Sequence, residues 1–562
     1  MSEETIKPLM SERTKLGLEI LEAAVLLGIL GDALLRATPW GLNVLLFILA
    51  VVAAMIALVY RRRKDFWNLQ TLLLHGALIF FAVMFVWRDS IELKVADTFA
   101  ILTILALMTL PALKIPTQLA GVVHYGFGWI WSGINAAFAP FVLLMDDIKW
   151  TTIPQTGWTK NLTAIFRGLA IATPILLIFG ALFMAADAVF QGIIEKTFNL
   201  DPAILFSHIF LIGIFSWGIA GYFLASILGG ENKAETKPEI QPQTLSITEP
   251  ITEEKNVEAE PKVESVKEEK IWNWRKMDSS FLPNGLTLGA IEISIVLGLI
   301  NLLFLSFVIV QLPYLFGGFE LVQQTEDLKL AHYARRGFGE LVTVAALVLP
   351  ILLFSHWLLR KDKPINEKIY RVLAGIQILL LFVIMISATQ RLLVLTGNLG
   401  YGLTTVRLYP MAFMIWLAIV FAWFGLTVLR GVREQFAWGA LWSALFVVGT
   451  LHVLNPDDFI ARTNIRLMNE GRGFDAYYHT TLSDDATPVL LENINVMTFE
   501  QQCRIKNRFI NRLEEAEKER DFRSFNFSRW KARKWLGQSQ ESFDTTGCPD
   551  HTLYQKHHDF HD

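Results

Sequence analysis

The sequence predicts an all-α integral membrane protein: about eleven transmembrane helices in two groups, followed by a small, mainly helical C-terminal appendage. Three observations lead there. Of 562 residues, 53% are hydrophobic and only 18% charged, against roughly 45–50% and about 25% for a soluble domain. The apolar excess is gathered into runs of about 20 residues, the length that crosses a hydrocarbon core of about 30 Å as a helix. The remaining polarity is concentrated in one central stretch and one C-terminal tail. The formal net charge of −3 comes with no basic stripe, so no nucleic-acid partner is expected.

The first membrane region, 1–228, holds six apolar runs, at 16–36, 40–60, 68–87, 92–112, 164–187 and 204–228. The first contains Glu19, Glu22 and Asp32 and has no small-residue cleavage site, so it reads as a retained helix and not as a signal peptide. The loop at 61–67, RRRKDFW, is strongly basic, and so is LRKDKPINE at 359–367, whereas 37–39 has no Lys or Arg and 188–203 only Lys196. Positive charge stays on the cytoplasmic side, which places the N-terminus in the cytoplasm. Residues 117–145 are apolar enough to cross but are interrupted by Gly121, Gly126, Gly128, Gly133 and Pro140. They are expected to lie along the membrane surface, because a crossing there would reverse the charge asymmetry.

The linker 229–285 is predicted to be cytoplasmic. Its stretch 231–270 has no aromatic residue and is rich in Glu, Lys and Pro, so it buries too little apolar surface to offset backbone ordering. A spacer is the favoured role of 229–276, with docking of a cytoplasmic partner as the alternative. The second membrane region, 286–454, follows with runs at 287–315, 338–358, 368–389, 408–430 and 435–454. The polar appendage, 455–562, includes a helical stretch at 499–520 in which Phe499, Cys503, Ile510 and Leu513 approximate one face.

Charge inside a bilayer is costly, so its position is informative. The middles of 40–60, 408–430 and 435–454 hold none, and 368–389 offers only Gln377. His75 and His208 read as the deepest titratable groups and are taken as packing histidines; Asn301 is read as an interhelical hydrogen-bonding residue. Nothing resembles a proton path. With the N-terminus inside, the loops at 316–337 and 390–407 and the segment after 454 share the outer side with Asp32 and Arg36. A polar cap is therefore predicted from Tyr333, Arg335, Arg336, Glu340, Tyr401, Arg407, Asp457, Asp458 and Arg462. Its arginines and carboxylates either neutralise one another and lock the loops, the favoured reading, or bind an anionic lipid headgroup or other envelope ligand through forked hydrogen bonds.

Three blocks of that cap, YARRGFGEL (333–341), YGLTTVRLYP (401–410) and NPDDFIARTNI (455–465), with FDAYYHTTLSDDATPVLLENI (474–494) and DFRSFNFSRW (521–530), resemble the bacterial membrane family catalogued as domain of unknown function 4173 and its relative 4153. The resemblance covers about 286–530; the first bundle resembles the family only in hydropathy. Tyr333, Arg335, Gly337, Phe338 and Glu340 carry the first block. Tyr401, Gly402, Thr404 and Arg407 carry the second, and Asn455, Pro456, Asp457, Arg462 and Asn464 the third. The resemblance implies architecture and bacterial origin and no chemistry.

The only two cysteines, Cys503 and Cys548, both fall in the tail expected to face an oxidising compartment, which permits a disulfide between them. The His-rich end at 548–562 fits no standard zinc spacing, and no metal or other cofactor is expected. No nucleophile elbow, phosphate loop, zinc-protease helix or kinase signature is present. The favoured function is envelope-associated binding, sensing or assembly at a bacterial cytoplasmic membrane, with the lipid bilayer as the first partner and the C-terminus outside. A multi-pass transporter and a transferase acting on a lipid-linked substrate, with Asp32 as base, are the alternatives; enzymatic activity is the less favoured of the readings.

Overall fold

A computed structural model describes residues 11–60, 68–150, 202–228, 289–323, 330–360, 363–393, 396, 402–518, 521–538 and 548. The predicted span 164–187, the linker and the His-rich end lie outside the described residues. The described part is 87% helical with no strands. Ten of its helices are long and apolar enough to cross a membrane, which makes this a multi-pass membrane protein.

The first group comprises α1 (Glu12–Leu35), α2 (Leu42–Tyr60), α3 (Leu69–Trp87), α4 (Ile91–Leu107), α5 (Val122–Val142) and α6 (Pro202–Leu228). Each of the first three begins or ends at a short polar device. Ser11 and Asn68 cap α1 and α3 by accepting from Thr14 N and Thr71 N, and Asn43 ties the α1–α2 turn by donating to the carbonyls of Leu34 and Ala37. The helices run back and forth, so the bundle has a near end, where α1 and α3 start, and a far end, where they finish. At the far end His208 and Ser207 of α6 meet Asp32 and Arg36 of α1. At the near end Tyr222 of α6 donates to the carbonyl of Leu105 in α4.

The helix α5 is long and apolar enough to cross, yet both flanks return to the near end. Gln118, just before it, accepts from Gln70 at the start of α3, 2.5 Å away. Asp147, just after it, pairs with Arg13 at the start of α1 at 2.7 Å. Between them α5 packs on the near-end half of α6, where a Cβ on Gly221 would stand 2.2 Å from the carbonyl oxygen of Asn135. Gly221 lets two backbones touch, the usual use of a small residue between membrane helices. Both flanks of the segment thus meet the near end of the bundle.

The second group comprises α7 (Ala290–Gln323), α8 (Leu330–Leu358), α9 (Pro364–Leu393), α10 (Thr405–Thr427) and α11 (Phe436–Leu454). The expected loop at 316–337 is mostly helical: α7 runs on to Gln323 and α8 starts at Leu330, so YARRGFGEL is the first part of a helix and not the mouth of one. Its Ala and Arg are strong helix formers, and an apolar-to-polar transition does not itself end a helix. Both bundles have apolar cores: Ile20, Met55, Leu78 and Phe81 in the first, Leu352, Leu381, Phe421 and Phe424 in the second. Asn301 does donate across helices, to the carbonyl of Leu373.

The appendage comprises α12 (Pro456–Asn469), α13 (Ala476–Thr481), α14 (Thr487–Glu492), α15 (Phe499–Lys518) and α16 (Phe527–Gln538). Asn455 turns the chain from α11 into α12 at φ 56°, with Pro456 opening the new helix, where its missing N–H costs nothing. The inward face of α15 is Cys503, Ile505 and Phe509, with Leu513 partly buried, while Phe499 is exposed; the face expected from spacing is rotated by part of a turn. Cys503 is joined to Cys548 by a disulfide.

Candidate functional site

The appendage sits on the far end of the first bundle through two loops. The α1–α2 turn receives the appendage backbone directly: Leu42 N donates to the carbonyl of Phe525. A Cβ on Gly41 would stand 2.3 Å from that same oxygen, so only glycine allows the approach. The α3–α4 loop, WRDS at 87–90, is gripped by side chains. Asn526 donates to the carbonyls of Phe85 and Arg88 at 2.9 and 2.8 Å. Arg88 donates to Asp485 at 3.1 Å and to the carbonyl of His452 at 2.8 Å, joining three elements. Asp485 also accepts from the Asp89 amide at 2.8 Å. Arg529, 7% exposed, donates to the carbonyls of Pro39, Trp40 and Ser524 and lies 3.3 Å from Asp89.

Above this seam is a chamber of about 360 Å³, near the lower end of small-molecule sites. One wall is cationic. Arg508 and Arg512 stand one turn apart on α15, and Arg529 and Arg533 one turn apart on α16, so each pair projects from a single helix face. Asp484 neutralises Arg512 at 3.0 Å, and Arg512 also donates to Thr487 Oγ1. Burial pulls the Arg512 guanidinium below its usual range and lifts the Asp484 carboxyl above its own, a lift that Arg512 opposes. The Nε of Arg508 is buried with no hydrogen-bond partner.

A second group in the lining is Asp457, Glu92, Tyr478 and Thr405, which lie near one another. Asp457 is 2% exposed; its Oδ2 accepts from the Ser483 amide at 3.0 Å, while its Oδ1 is buried without a hydrogen-bond partner. Burial raises its pKa to about 6; the bonds from Ser483 oppose this, and the charges of Asp485 and Glu92 add to it. Tyr478 accepts from the Thr405 amide through its hydroxyl, at 2.8 Å. Glu92 accepts from Ser90 at 2.9 Å, and Ser90 in turn lies 3.0 Å from the Tyr409 hydroxyl.

The residues predicted for a cap are placed differently. Among those whose side chains are described, only Asp457 lines this chamber. Arg407 donates to the carbonyl of Gly402, at φ 69°, and Asn464 closes the same loop through the amide and carbonyl of Leu403 at 2.6 and 2.8 Å. Arg462 forks onto Asp458 at 2.7 and 3.2 Å and borders a second polar cavity. Tyr401 lies outside the described residues. Tyr333, Arg335 and Arg336 are placed only as part of α8, and Glu340, in the same helix, is exposed. Asp32 is engaged by His208 and Arg36 within the first bundle.

The sequence reading missed the arginines of α15 and α16 and the acids of the α3–α4 loop. The signal available was the i, i+4 repetition of arginine at 508/512 and 529/533. It missed also a buried pair in the membrane region: His452 Nε2 meets Asp97 at 2.8 Å, both side chains being at most 1% exposed. His452 sits in the last turn of α11, a helix whose middle is uncharged, and its partner lies 355 residues away, so spacing could not reveal it. The statement that His75 and His208 are the deepest titratable groups is corrected accordingly. Among the described residues no three His, Cys, Asp or Glu side chains are arranged to hold a metal ion.

The family described as a domain of unknown function (DUF4153) matches residues 75–493. The chain belongs to the DUF4153 family. The match begins within α3, so family resemblance extends into the first bundle and is not confined to its hydropathy. It includes the α3–α4 loop, Asp457 and the 478–485 segment, and ends before α15 and α16. No curated protein and no solved structure matches the chain.

Proposed function

We propose that this DUF4153 protein is a binding and sensing protein of a bacterial cytoplasmic membrane, and that the far-end chamber holds a small anion against Arg508 and Arg512. The observation that carries the reading is that Arg508 lines a polar chamber and has an Nε buried without a hydrogen-bond partner. A buried unsatisfied donor is costly, and forked guanidinium bonds to phosphate or carboxylate remove that cost. The basic loops 61–67 and 359–367 join helices at the near end, which supports a cytoplasmic near end and an extracytoplasmic chamber. The Cys503–Cys548 disulfide agrees with an oxidising compartment there. The apolar cores of both bundles favour this reading over a transporter, which needs a polar path.

The test is thermal stabilisation of the purified chain by inorganic phosphate, sulfate and succinate. The expected result is a rise in Tm for the wild type that Arg508→Ala abolishes. Arg407→Ala should lower Tm by loosening its loop yet keep the anion-dependent rise. Absence of stabilisation by any anion, or a rise lost in Arg407→Ala and kept in Arg508→Ala, overturns the proposal.

A further inference from the structure

The chamber is lined by four arginines and five carboxylates, unevenly mixed: Asp484, Asp89 and Glu515 act on Arg512, whereas no arginine or lysine is among the groups that shift Asp457. On the cationic side Arg512 and Arg529 already have Asp484 and Asp89 as partners. Elsewhere in the lining, Glu92 lies close enough to Asp457 for its charge to raise the Asp457 pKa. Asp457 lines the chamber, and its Oδ1 is buried without a hydrogen-bond partner. A carboxylate only accepts hydrogen bonds, so the group that completes this wall must be a donor, and a cation satisfies both acids at once. An anion alone would leave that oxygen unpaired and would add repulsion.

Resting on the anion-binding reading above, we propose that the ligand is a small bipolar molecule of the amino-phosphate class. Its primary ammonium lies against Asp457 and Glu92, and its phosphate against Arg508. An ammonium has three donors on one atom, which suits Asp457 Oδ1, Glu92 and the acceptor capacity of the Tyr478 hydroxyl. Such chemistry is carried both by free amino-alkyl phosphates and by aminophospholipid headgroups. A chamber seated at the membrane end of an appendage is within reach of either.

Binding of O-phosphoethanolamine and of glycerol 3-phosphate to the full chain, measured calorimetrically in phosphatidylglycerol nanodiscs, tests this. The amino-phosphate should bind at least about tenfold more tightly, the worth of one charge-assisted contact. Asp457→Asn should erase that preference while leaving glycerol 3-phosphate binding intact, and Glu92→Gln should reduce it as an independent check against misfolding of either variant. Arg508→Ala should weaken both ligands. Phosphatidylethanolamine in the nanodiscs separates the sources: competition with the soluble ligand identifies a lipid headgroup, and undiminished binding identifies a free molecule. Equal affinities for the two phosphates, with both weakened by Arg508→Ala, overturn the bipolar ligand and leave the anion site standing. Failure of both phosphates to bind overturns both readings.

Discussion

The two membrane bundles and the seam at their far end are held together by opposite means. Inside the bundles, Leu78, Phe81, Leu381 and Phe424 pack in apolar layers, and a polar group such as Asn301 is an isolated tie. At the seam, Arg88, Asp89, Asp485 and Arg529 form a continuous web of charged side chains and carbonyls, much of it buried. Lipid tails are as apolar as leucine, so helices in a membrane gain little from hydrophobicity against one another and rely on close fit. The seam is an interface between a membrane end and a water-facing appendage, where buried charges are tolerated only when fully partnered. The difference teaches where a ligand can be expected. Arg508 and Asp457, which line the seam chamber, each keep a buried polar atom without a hydrogen-bond partner, as do Trp131 and Asp147 beside a near-end cavity.

The strongest blow to the seam should be Arg529→Ala. It removes three carbonyl contacts and one of the two cations beside Asp89, leaving Lys94 at 2.6 Å as the other, a loss of about 3 kcal/mol for a broken buried network. A fall in Tm with new protease cleavage between α11 and α16 would show it; an unchanged melting curve would mean that the seam is not what holds the appendage. The His452–Asp97 pair carries seam-like chemistry into the helices. His452→Phe alone should cost about 3 kcal/mol by leaving a buried carboxylate unpaired, and adding Asp97→Leu should recover part of it. Additive losses in that double mutant would show that the two side chains act independently.

Close fit in the bundle is probed by Gly221→Val. The added side chain meets the backbone of Asn135 in α5 and cannot be avoided by a rotamer change, so about 1–3 kcal/mol should be lost. Wild-type stability would place α5 elsewhere than across the near end. The smallest effect, with opposite sign, belongs to Asp457→Asn. The folded-state pKa of about 6 lies above the unfolded value near 3.9, so the folded chain holds the extra proton between about pH 4 and 6. Stability from this group is present below pH 4 and is lost as pH rises through 6. The groups facing it are Glu92, Asp485, Ser483, Tyr409 and Tyr478. The asparagine variant should therefore gain about 1–2 kcal/mol over wild type at pH 7.5 and nothing at pH 4. A pH-independent difference would mean that the carboxylate is not buried as described.

Helices were legible in the sequence because a bilayer leaves few alternatives to a 20-residue apolar run. The expectation that 117–145 lies along the surface rests on its glycines and Pro140; its flanks contact the near end, and the helix between them is also long and apolar enough to cross. The cap was legible only in part. Arg407 and Asn464 stood out as polar residues at helix ends, and they prove to tie the 402–407 loop. The chamber draws on Glu92, Thr405, Asp457, Tyr478, Arg508 and Arg529, which are scattered over more than 400 positions and meet only because the appendage folds back onto the α3–α4 loop. The arginine pairs on α15 and α16 look, one helix at a time, like ordinary solvated faces. The tertiary fold alone turns them toward each other.

The most direct test of the account is the position of a bound oxyanion. A density map of the full chain soaked with tungstate, a heavy phosphate analogue, is predicted to show a strong peak in the chamber within hydrogen-bonding distance of Arg508 and Arg512. A peak instead at Arg335 and Arg336 on α8, with the chamber empty, would contradict the account and return the anion site to the cap that the sequence alone suggests.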